Sequence, residues 1–511
     1  MEQVRRYGHW ADKPEPIPAE QITETVSADV VVAGCGMSGV SCALRAAQGG
    51  ADVIVLEKSG SWSGRGGNIG VVNSSFMRSQ GYENDPEAFA REWIKRSGNR
   101  CDERILWRYI NGSPRAMDWL LDIVTRPEYG CRPALQGSVY KGETYRELYG
   151  SHRLFGGPME KKGMRAGGAD AVYAMYTEAV KLGVRLFFHS PAVELTKENG
   201  RVTGVIAETE NGYLLARAEK AVVLATGDIG GNEEMCADLA PLANKCASKI
   251  YGPKGGNMGD GHRLGLWAGG SFEDTPFPTM LHPQAYHFRN YCFLFVTPDG
   301  RRFMNEDSYV QGKTVAILRE NAPYAWSIMD SGWREKVPAT LPYGGGLFWG
   351  GDCEVGESEF ILEEEERMLA WGLKRGVVVT GDTPEELSER MGVPSDVFTG
   401  EFDRYNALCA EGKDRDFGKR RELLIPLDKP PYYGMKFAPA LLTVVGGLRV
   451  NADQNVLSEN GDPVAGLYAV GNAAGGRYGV DYPILVPGNS HGTALTLGFL
   501  LGERLGSEND G

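Results

Sequence analysis

A short segment near the start of the chain decides the fold: residues 28–39 read ADVVVAGCGMSG. The apolar run that ends at Ala33 predicts a buried parallel strand. The next segment, GMSGVSCALRAAQGG (residues 36–50), predicts a helix, and ADVIVLE (residues 51–57) predicts a second buried strand. Together they predict a βαβ unit, the nucleus of a parallel sheet with helices on its faces.

The turn between the first strand and the helix has GxGxxG spacing, with glycines at 34, 36 and 39. Gly34 permits a tight turn, Gly36 lets the backbone approach a pyrophosphate at the helix N-terminus, and Gly39 lets the helix pack on the strand. Glu57 ends the second strand, where a carboxylate accepts both ribose hydroxyls of an adenosine. The spacing alone is also compatible with a tight turn that binds nothing. The flanking strand, helix and acid together favour a dinucleotide site.

Three further segments decide between NAD and FAD. A second glycine-rich loop, LEKSGSWSGRGGNIGVVNSS, follows at residues 56–75, and two predicted strands end in ATGD (residues 225–228) and AVGN (residues 469–472). An NAD site needs only the first loop, whereas several strand ends that face one ligand suit the longer FAD. We therefore predict non-covalent FAD, bound by Gly34, Gly36, Gly39 and Glu57 and by Met37, Ser38, Lys58, Gly64, Arg65, Gly66, Asn68, Ile69, Gly70, Val193, Ala225, Thr226, Gly227, Asp260, Gly471, Asn472, Asn489, Ser490 and His491.

Composition limits the function classes. The 511 residues include 54 Lys and Arg against 67 Asp and Glu, a net charge of −13, which argues against nucleic-acid binding. No apolar run is long enough for a transmembrane helix. The nine cysteines are scattered without haem or iron–sulfur spacing, and the histidines lack metal-ligand spacing. We therefore expect a cytoplasmic protein without a metal, which exchanges electrons with an external partner: reduced flavin, an NAD(P)H-dependent partner or an electron-transfer protein.

The glycine-rich segments jointly resemble the FAD flavoprotein family of fumarate reductase and succinate dehydrogenase, over nearly the whole chain. The resemblance implies an α/β fold. Its Rossmann-like FAD-binding domain has a parallel sheet in three-layer packing and is interrupted by a mobile α+β cap. The sequence becomes richer in short strands, prolines and aromatic residues from about 273 to 429. We therefore expect a lead-in at 1–27, the FAD-binding domain at 28–272 and 430–511, and the cap at 273–429.

The same resemblance implies hydride transfer between flavin N5 and an activated C=C bond. DGRRFMNED (residues 299–307) resembles a family element whose glutamate, here Glu306, delivers protons. The next relay position of the family is an arginine, where this chain has Tyr309 and its neighbours, and Arg334 stands near the place of the family's acid. The family's two carboxylate ligands are absent: Thr443 and its neighbours replace a histidine, and no arginine aligns in the tail.

That tail, GGRYGVDYPILVPGNSHGTALTLG (residues 475–498), is more similar to the 3-ketosteroid dehydrogenase branch of the family. The similarity implies that the Tyr482 hydroxyl and the Gly488 N–H polarise a substrate carbonyl. Asn489, Ser490 and His491 begin a predicted final helix, where free N–H groups stabilise negative charge on the reduced flavin.

We therefore expect an ene-reductase or desaturating dehydrogenase that acts on an α,β-unsaturated carbonyl compound of enone or ketosteroid type. The proton comes from Arg334 or a tyrosine, of which Tyr309 is one. The alternative is a fumarate- or urocanate-type reductase that replaces the missing ligands with cap arginines: Arg289, Arg301, Arg302 or Arg420. A third possibility is a flavin-binding electron carrier without a substrate of its own.

Overall fold

The computed structural model describes residues 7–137, 146–249, 255–284, 291–345, 354–355 and 360–507. The strands in these ranges are β1 (Ile22–Ala33), β2 (Val53–Leu56), β3 (Ile69–Gly70), β4 (Arg132–Gln136), β5 (Ser151–Phe155), β6 (Arg185–Phe187), β7 (Ala192–Glu198), β8 (Arg201–Thr209), β9 (Gly212–Leu224), β10 (Ser248–Lys249), β11 (Thr279–Gln284), β12 (Leu294–Val296), β13 (Ala325–Asp330), β14 (Val378–Gly381), β15 (Tyr432–Val444), β16 (Asn455–Leu457) and β17 (Pro463–Ala469).

The α-helices in the same ranges are α1 (Met37–Gln48), α2 (Ser75–Ser79), α3 (Pro86–Arg96), α4 (Glu103–Val124), α5 (Pro158–Lys161), α6 (Gly168–Lys181), α7 (Glu233–Leu239), α8 (Pro241–Asn244), α9 (Asp260–Trp267), α10 (Val310–Arg319), α11 (Trp333–Thr340), α12 (Leu362–Lys374), α13 (Pro384–Met391), α14 (Ser395–Glu411) and α15 (Asn489–Ser507).

The largest sheet has eight strands, in the order β16-β17-β9-β1-β2-β6, and the β7–β8 hairpin joins it at β9. β1 pairs in parallel with β2 and β9, and β17 pairs in parallel with β9. α1 connects β1 to β2, so the predicted βαβ unit is confirmed. One apolar core lies between this sheet and α1, α4, α6 and α15. A second core lies on the opposite face and includes residues of α7 and α9. The predicted α/β class with three-layer packing is thus confirmed.

The second sheet has six strands, in the order β10-β15-β13-β12, with β11 and β14 also paired to β15. α10 to α14 also lie within residues 273–429, the range predicted for the cap. β15 is its central strand, although the predicted boundary at 429/430 placed those residues in the FAD-binding domain. The apolar sequence of a buried strand does not show which sheet the strand joins, because its pairing partners are distant in sequence. The division into an FAD-binding domain and a cap remains a prediction.

A small third sheet, in the order β3-β5-β4, pairs β3 with the two strands that lie between α4 and α6. Its shortest strand, β3, lies within the second glycine-rich loop. Gly70 of β3 donates its N–H to the carbonyl of Gly488 at 2.9 Å. This sheet therefore connects the second glycine-rich loop to the segment just before α15.

The contact between α1 and α15 is unusually close. A Cβ on Gly498 would lie 2.2 Å from Ser41 Oγ and 2.4 Å from the Ser38 carbonyl oxygen. A Cβ on Gly502 would lie 2.4 Å from the Cys42 carbonyl oxygen. The glycines are four residues apart and therefore share one face of α15. They let the two helices approach with no side chain between them.

We expect Gly498→Ala to lower the free energy of unfolding by about 1–3 kcal/mol, because the new methyl group overpacks the contact between α1 and α15. The matched control is Gly400→Ala in α14, where a Cβ meets no atom within 4 Å. That change is expected to raise the free energy of unfolding by about 0.5–1 kcal/mol, because alanine loses less backbone entropy in a helix. Urea denaturation followed by circular dichroism measures both. Equal stability of the two variants would contradict the assigned packing.

Candidate functional site

A deep cavity lies where the carboxyl ends of several parallel strands meet the first turns of two helices. Its wall includes Gly34 after β1, Glu57 after β2, Thr226 after β9 and Gly471 after β17. Crevices at the carboxyl ends of strands are the usual ligand sites of open α/β sheets. The predicted glycine-rich segments therefore converge on one cavity.

The three glycines of the GxGxxG turn have separate roles. Gly34 has a φ of +111°, and a Cβ there would lie 2.4 Å from the Ala225 carbonyl oxygen. A Cβ on Gly39 would lie 2.0 Å from the Gly34 carbonyl oxygen, so this glycine seats α1 against β1. At Gly36 the nearest atom to a Cβ is the Ser63 carbonyl oxygen, at 3.8 Å. Space is thus left open beside the N-terminus of α1, where a phosphate is stabilised by backbone N–H groups and the helix dipole.

The Glu57 carboxylate is held by the backbone at both oxygens. Cys35 N–H donates to Oε2 and Ser59 N–H donates to Oε1, each at 2.8 Å. Each carboxylate oxygen has a further lone pair. Glu57 lines the cavity and can therefore accept two hydrogen bonds from a vicinal diol such as a ribose.

Most of the predicted cofactor residues line the cavity. Those on its wall are Gly34, Gly36, Met37, Ser38, Glu57, Lys58, Arg65, Gly66, Asn68, Ala225, Thr226, Gly227, Asp260, Gly471, Asn472, Ser490 and His491. Lys58 and Asp260 form an ion pair at 2.8 Å on that wall.

Six of the predicted cofactor residues lie off the wall: Gly39, Gly64, Ile69, Gly70, Val193 and Asn489. Gly39, Gly64 and Gly70 instead allow backbone segments to pack closely behind it. Ala192 lines the cavity in place of its neighbour Val193. Asn489 is fully buried and donates from Nδ2 to the Pro483 carbonyl at 2.7 Å, which fixes the turn before α15.

Asn68 connects the second glycine-rich loop to two other elements. Its side-chain amide donates to Gln136 Oε1 and to Ser151 Oγ of the small third sheet. Its carbonyl oxygen lies 2.8 Å from His491 Nδ1. Since a carbonyl only accepts, Nδ1 carries a proton, and burial lowers the pKa of His491. In the neutral imidazole Nε2 is therefore an acceptor, and the backbone N–H groups at the start of α15 remain the predicted donors to a reduced flavin.

Tyr482 and Gly488, the two predicted carbonyl-binding residues, both line the cavity. The Tyr482 hydroxyl accepts the Ser490 N–H of α15 at 2.9 Å. Burial raises the pKa of Tyr482 well above its ordinary value, so the hydroxyl keeps its proton. Among the described residues no acceptor for that proton is found, and Gly488 N–H likewise has none there. Both donors are therefore available to a ligand oxygen.

A hydrogen-bonded chain that the sequence did not predict runs along the same wall. Asp228 Oδ2 accepts the Thr443 hydroxyl at 2.5 Å, and Thr443 Oγ1 accepts Asn472 Nδ2 at 3.0 Å. Asn472 Oδ1 in turn accepts the Ser490 hydroxyl at 3.5 Å. Asp228 and Thr443 are 215 positions apart and meet because β9 and β15 end at the same place. The position of Asp228 directly after ATG at a strand end was the available signal.

Glu306 lies outside the cavity, in a buried ionic cluster with Arg302, Asp414 and Lys419. Arg302 donates to Glu306 from Nε and Nη2 at 2.9 and 2.8 Å, and Lys419 Nζ is 3.2 Å away. Burial alone would raise the pKa of Glu306, but Lys419 and Arg302 hold it below its ordinary value. An ionised glutamate with these partners has no proton to deliver, so the structure gives Glu306 a structural place.

Arg334 also lies outside the cavity. Its side chain is 43% exposed and pairs with Glu366 of α12 at 2.7 Å. The predicted acid position is therefore a surface ion pair, because α11 turns this side chain towards α12. Tyr309 is not on the cavity wall either, but its hydroxyl donates to Asp481 Oδ2 at 2.8 Å, next to Tyr482 in the chain.

The cap arginines considered for an anion clamp are engaged elsewhere. Arg301 is exposed, Arg302 lies in the buried cluster, and Arg420 pairs with Asp307 at 2.5 Å. Arg289 lies outside the described residues. The arginines on the cavity wall are Arg65 and Arg165.

FAD fits this donor set. The open space at Gly36, the doubly anchored Glu57 carboxylate and the long wall from Pro191 to Ser490 provide for a phosphate, a ribose and an extended ring system. The described residues contain no helix long and apolar enough to cross a membrane.

Several known proteins are similar to this chain over most of its length. A vinyl phenol reductase from Lactiplantibacillus plantarum is 29% identical over 503 residues, which is 92% of this chain and 95% of that protein. A cytochrome-type fumarate reductase from Shewanella frigidimarina is 26% identical over 508 residues, 96% of this chain and 79% of that protein. The 3-ketosteroid-Δ4-(5α)-dehydrogenase of Rhodococcus jostii, solved with 4-androstene-3,17-dione, shares the fold with a TM-score of 0.73 at 24% identity, over 96% of this chain and all of that one.

These similarities confirm the predicted FAD cofactor and the predicted resemblance to fumarate reductases and 3-ketosteroid dehydrogenases. They also confirm an FAD-dependent oxidoreductase that acts on carbon–carbon bonds. The FAD binding domain model matches residues 29–484, and the chain therefore belongs to the FAD binding domain family.

Proposed function

We propose that the chain reduces a C=C bond conjugated to an uncharged oxygen substituent, in an α,β-unsaturated carbonyl compound or an alkenyl phenol. Bound FAD supplies the hydride. The observation that carries the proposal is the Tyr482 hydroxyl, which lies on the cavity wall with its proton available. The similarity to a vinyl phenol reductase supports the phenolic variant of this substrate class.

Tyr482 is arranged to stabilise negative charge on that oxygen. By accepting the Ser490 N–H at the start of α15, its hydroxyl becomes a stronger donor, since chains of hydrogen bonds polarise one another. Gly488 N–H provides a second donor on the same wall. Fixed donors in a site that excludes water stabilise a developing enolate or phenolate oxygen.

Tyr309 is the best placed of the predicted proton donors. Its hydroxyl donates to Asp481 Oδ2, while Asp481 Oδ1 accepts the Tyr482 N–H at 2.9 Å. Tyr309 packs against the apolar cluster that contains Tyr482 and Ile484, both of the cavity wall. Because Tyr309 lies off the cavity wall, we assign it to passing a proton towards the site rather than to contact with the substrate, and we assign protonated Asp481 to replacing that proton.

The other part of the wall suits a largely apolar ligand. Met280, Leu442, Ile484 and Pro487 contribute apolar side chains to it. Planar conjugated compounds lose little when they exchange water for such a surface. We further propose that electrons reach the flavin from a separate donor.

Reduction of a short unsaturated acid is the second candidate. Arg65 and Arg165 lie on the cavity wall, and a cytochrome-type fumarate reductase is among the relatives. Either arginine is equally suited to the phosphates of FAD. The anion ligands that the family resemblance implies are missing, which favours the first candidate.

Tyr482→Phe tests the role of the hydroxyl. We expect kcat for 2-cyclohexenone and 4-vinylphenol to fall by about 10²–10³, the usual effect of removing one oxyanion donor. Oxidation of dye-reduced protein, followed anaerobically, measures it. The control is Tyr478→Phe, a buried neighbour whose hydroxyl bonds to Thr493 and which lies off the wall. An unchanged kcat in Tyr482→Phe, or fumarate turnover equal to that of the enone in the wild type, would reject the proposal.

Asp481 predicts a pH dependence. Burial raises the pKa of Asp481 from 3.8 to about 6, so the carboxyl keeps its proton up to that pH. We expect kcat to fall as the pH rises through about 6, because ionised Asp481 no longer resupplies Tyr309. Asp481→Asn retains a polar side chain but cannot titrate.

The pH profile of Asp481→Asn should therefore lie below that of the wild type at low pH and be flat through this range. The exposed change Asp403→Asn on α14 serves as control. A profile of Asp481→Asn that keeps the wild-type slope would remove Asp481 from the proton path.

A further inference from the structure

Asp228 is a buried acid on the wall of the cavity to which neither the family resemblance nor the proposed mechanism gives a role. It follows Gly227 at the end of β9 and is only 3% exposed. Gly230 N–H donates to its Oδ1 at 2.6 Å, and the Thr443 hydroxyl donates to its Oδ2 at 2.5 Å. Its carboxylate is thus fixed in position by two neutral donors.

Charge compensation at Asp228 is weak. Among the residues that the structure describes, no Lys, Arg or His nitrogen pairs with it within 4.0 Å. Burial is the largest influence and raises the pKa of Asp228, while the hydrogen bonds of Thr443, Gly230 and Val444 and the charge of Arg65 act against it. A second anion beside Asp228 raises this pKa further, so a carboxylate ligand binds only against charge repulsion or with uptake of a proton.

Asp228 and Thr443 offer the cavity hydrogen-bond acceptors rather than donors. The Thr443 hydroxyl gives its proton to Asp228, and its oxygen already accepts Asn472 Nδ2. Ionised Asp228 has about four acceptor sites, of which the hydrogen bonds of Gly230, Thr443 and Val444 use three. In this form Asp228 and Thr443 present an acceptor to the cavity and no donor.

The Asp228–Thr443 pair lies away from the part of the cavity that suits a phosphate. A phosphate is favoured at the open N-terminus of α1, beside Gly36, and disfavoured against a buried carboxylate. Thr443 is the penultimate residue of β15 in the six-stranded sheet and is paired in register with Met280 of β11, which also lines the cavity. Asp228 and Thr443 thus lie where the six-stranded sheet meets the cavity, on the side left for a substrate.

We propose that Asp228 and Thr443 form an acceptor subsite that selects a substrate carrying a hydroxyl or N–H donor and rejects one carrying a carboxylate. The inference rests on the proposed function, since it takes this cavity as the substrate site. It narrows the substrate class to neutral conjugated compounds with a hydrogen-bond donor, such as an alkenyl phenol. Tyr482 and Asp228 then have complementary tasks, because one donates to the ligand and the other accepts from it.

Calorimetric titration of the FAD-loaded protein with saturated ligands tests the subsite without turnover. The first pair of probes is 3-phenylpropanoate and its methyl ester, and the second pair is 4-ethylphenol and 4-ethylanisole. Wild-type protein should bind the ester and the phenol more tightly than their partners. Asp228→Asn, which is nearly isosteric and still accepts the Gly230 N–H, should reduce both preferences by about tenfold or more, equivalent to about 1.4 kcal/mol.

The control for net charge is Asp403→Asn on α14, an exposed position that should leave both preferences unchanged. Thr443→Val keeps the Asp228 carboxyl but removes a hydrogen bond that lowers its pKa, so at pH 9 it should still reject the propanoate as strongly as the wild type. The proposal is overturned if either preference in Asp228→Asn stays within twofold of the wild type, or if Thr443→Val loses its rejection of the propanoate at pH 9. Failure of the proposed function would instead show as absent turnover of enones and alkenyl phenols, whatever the binding preferences.

Discussion

Direct packing of backbone against backbone around the first turn of α15 is the constraint on which the cavity depends. A Cβ on Gly492 would lie 1.5 Å from the Gly70 carbonyl oxygen, and Gly70 N–H bonds to the Gly488 carbonyl. Further along the helix, Gly498 and Gly502 rest on the backbone of α1. The start of α15 is thus fixed against the second glycine-rich loop and its later turns against α1, so the polar groups of its first turn are held in position. Ser490 N–H can therefore serve as a rigid donor to the Tyr482 hydroxyl.

Under the proposed function, this rigidity has an electrostatic consequence. A donor stabilises charge that develops during a reaction only if it already points at the right place, because reorientation would consume the gain. Tyr482 is oriented by Ser490, and the turn before α15 is held by the bond from Asn489 to the Pro483 carbonyl.

The sequence predicted what depends on local pattern and on the convergence of parallel strand ends. The GxGxxG turn, Glu57 and the segments at Thr226 and Gly471 needed only these rules. Predictions failed where the decisive partner is distant in sequence. Glu306 is held by Lys419, and Arg334 by Glu366, so a motif match could not reveal whether either residue was free to react.

The pair formed by Asp228 and Thr443 also depends on partners that are distant in sequence. The sequence identifies Thr443 and its neighbours as replacing a carboxylate ligand of the family, but its partner Asp228 follows a strand of another sheet and is revealed only by the fold. Loss of a cationic ligand alone already disfavours an anion, because a desolvated carboxylate then lacks its hydrogen-bond donors. A buried carboxylate on the cavity wall adds a repulsive term, and repulsion discriminates between substrates as effectively as new attraction. Together with the Tyr482 donor, the Asp228 carboxylate suits the proposed site to a neutral ligand that both accepts and donates hydrogen bonds, unlike a site for a dicarboxylate.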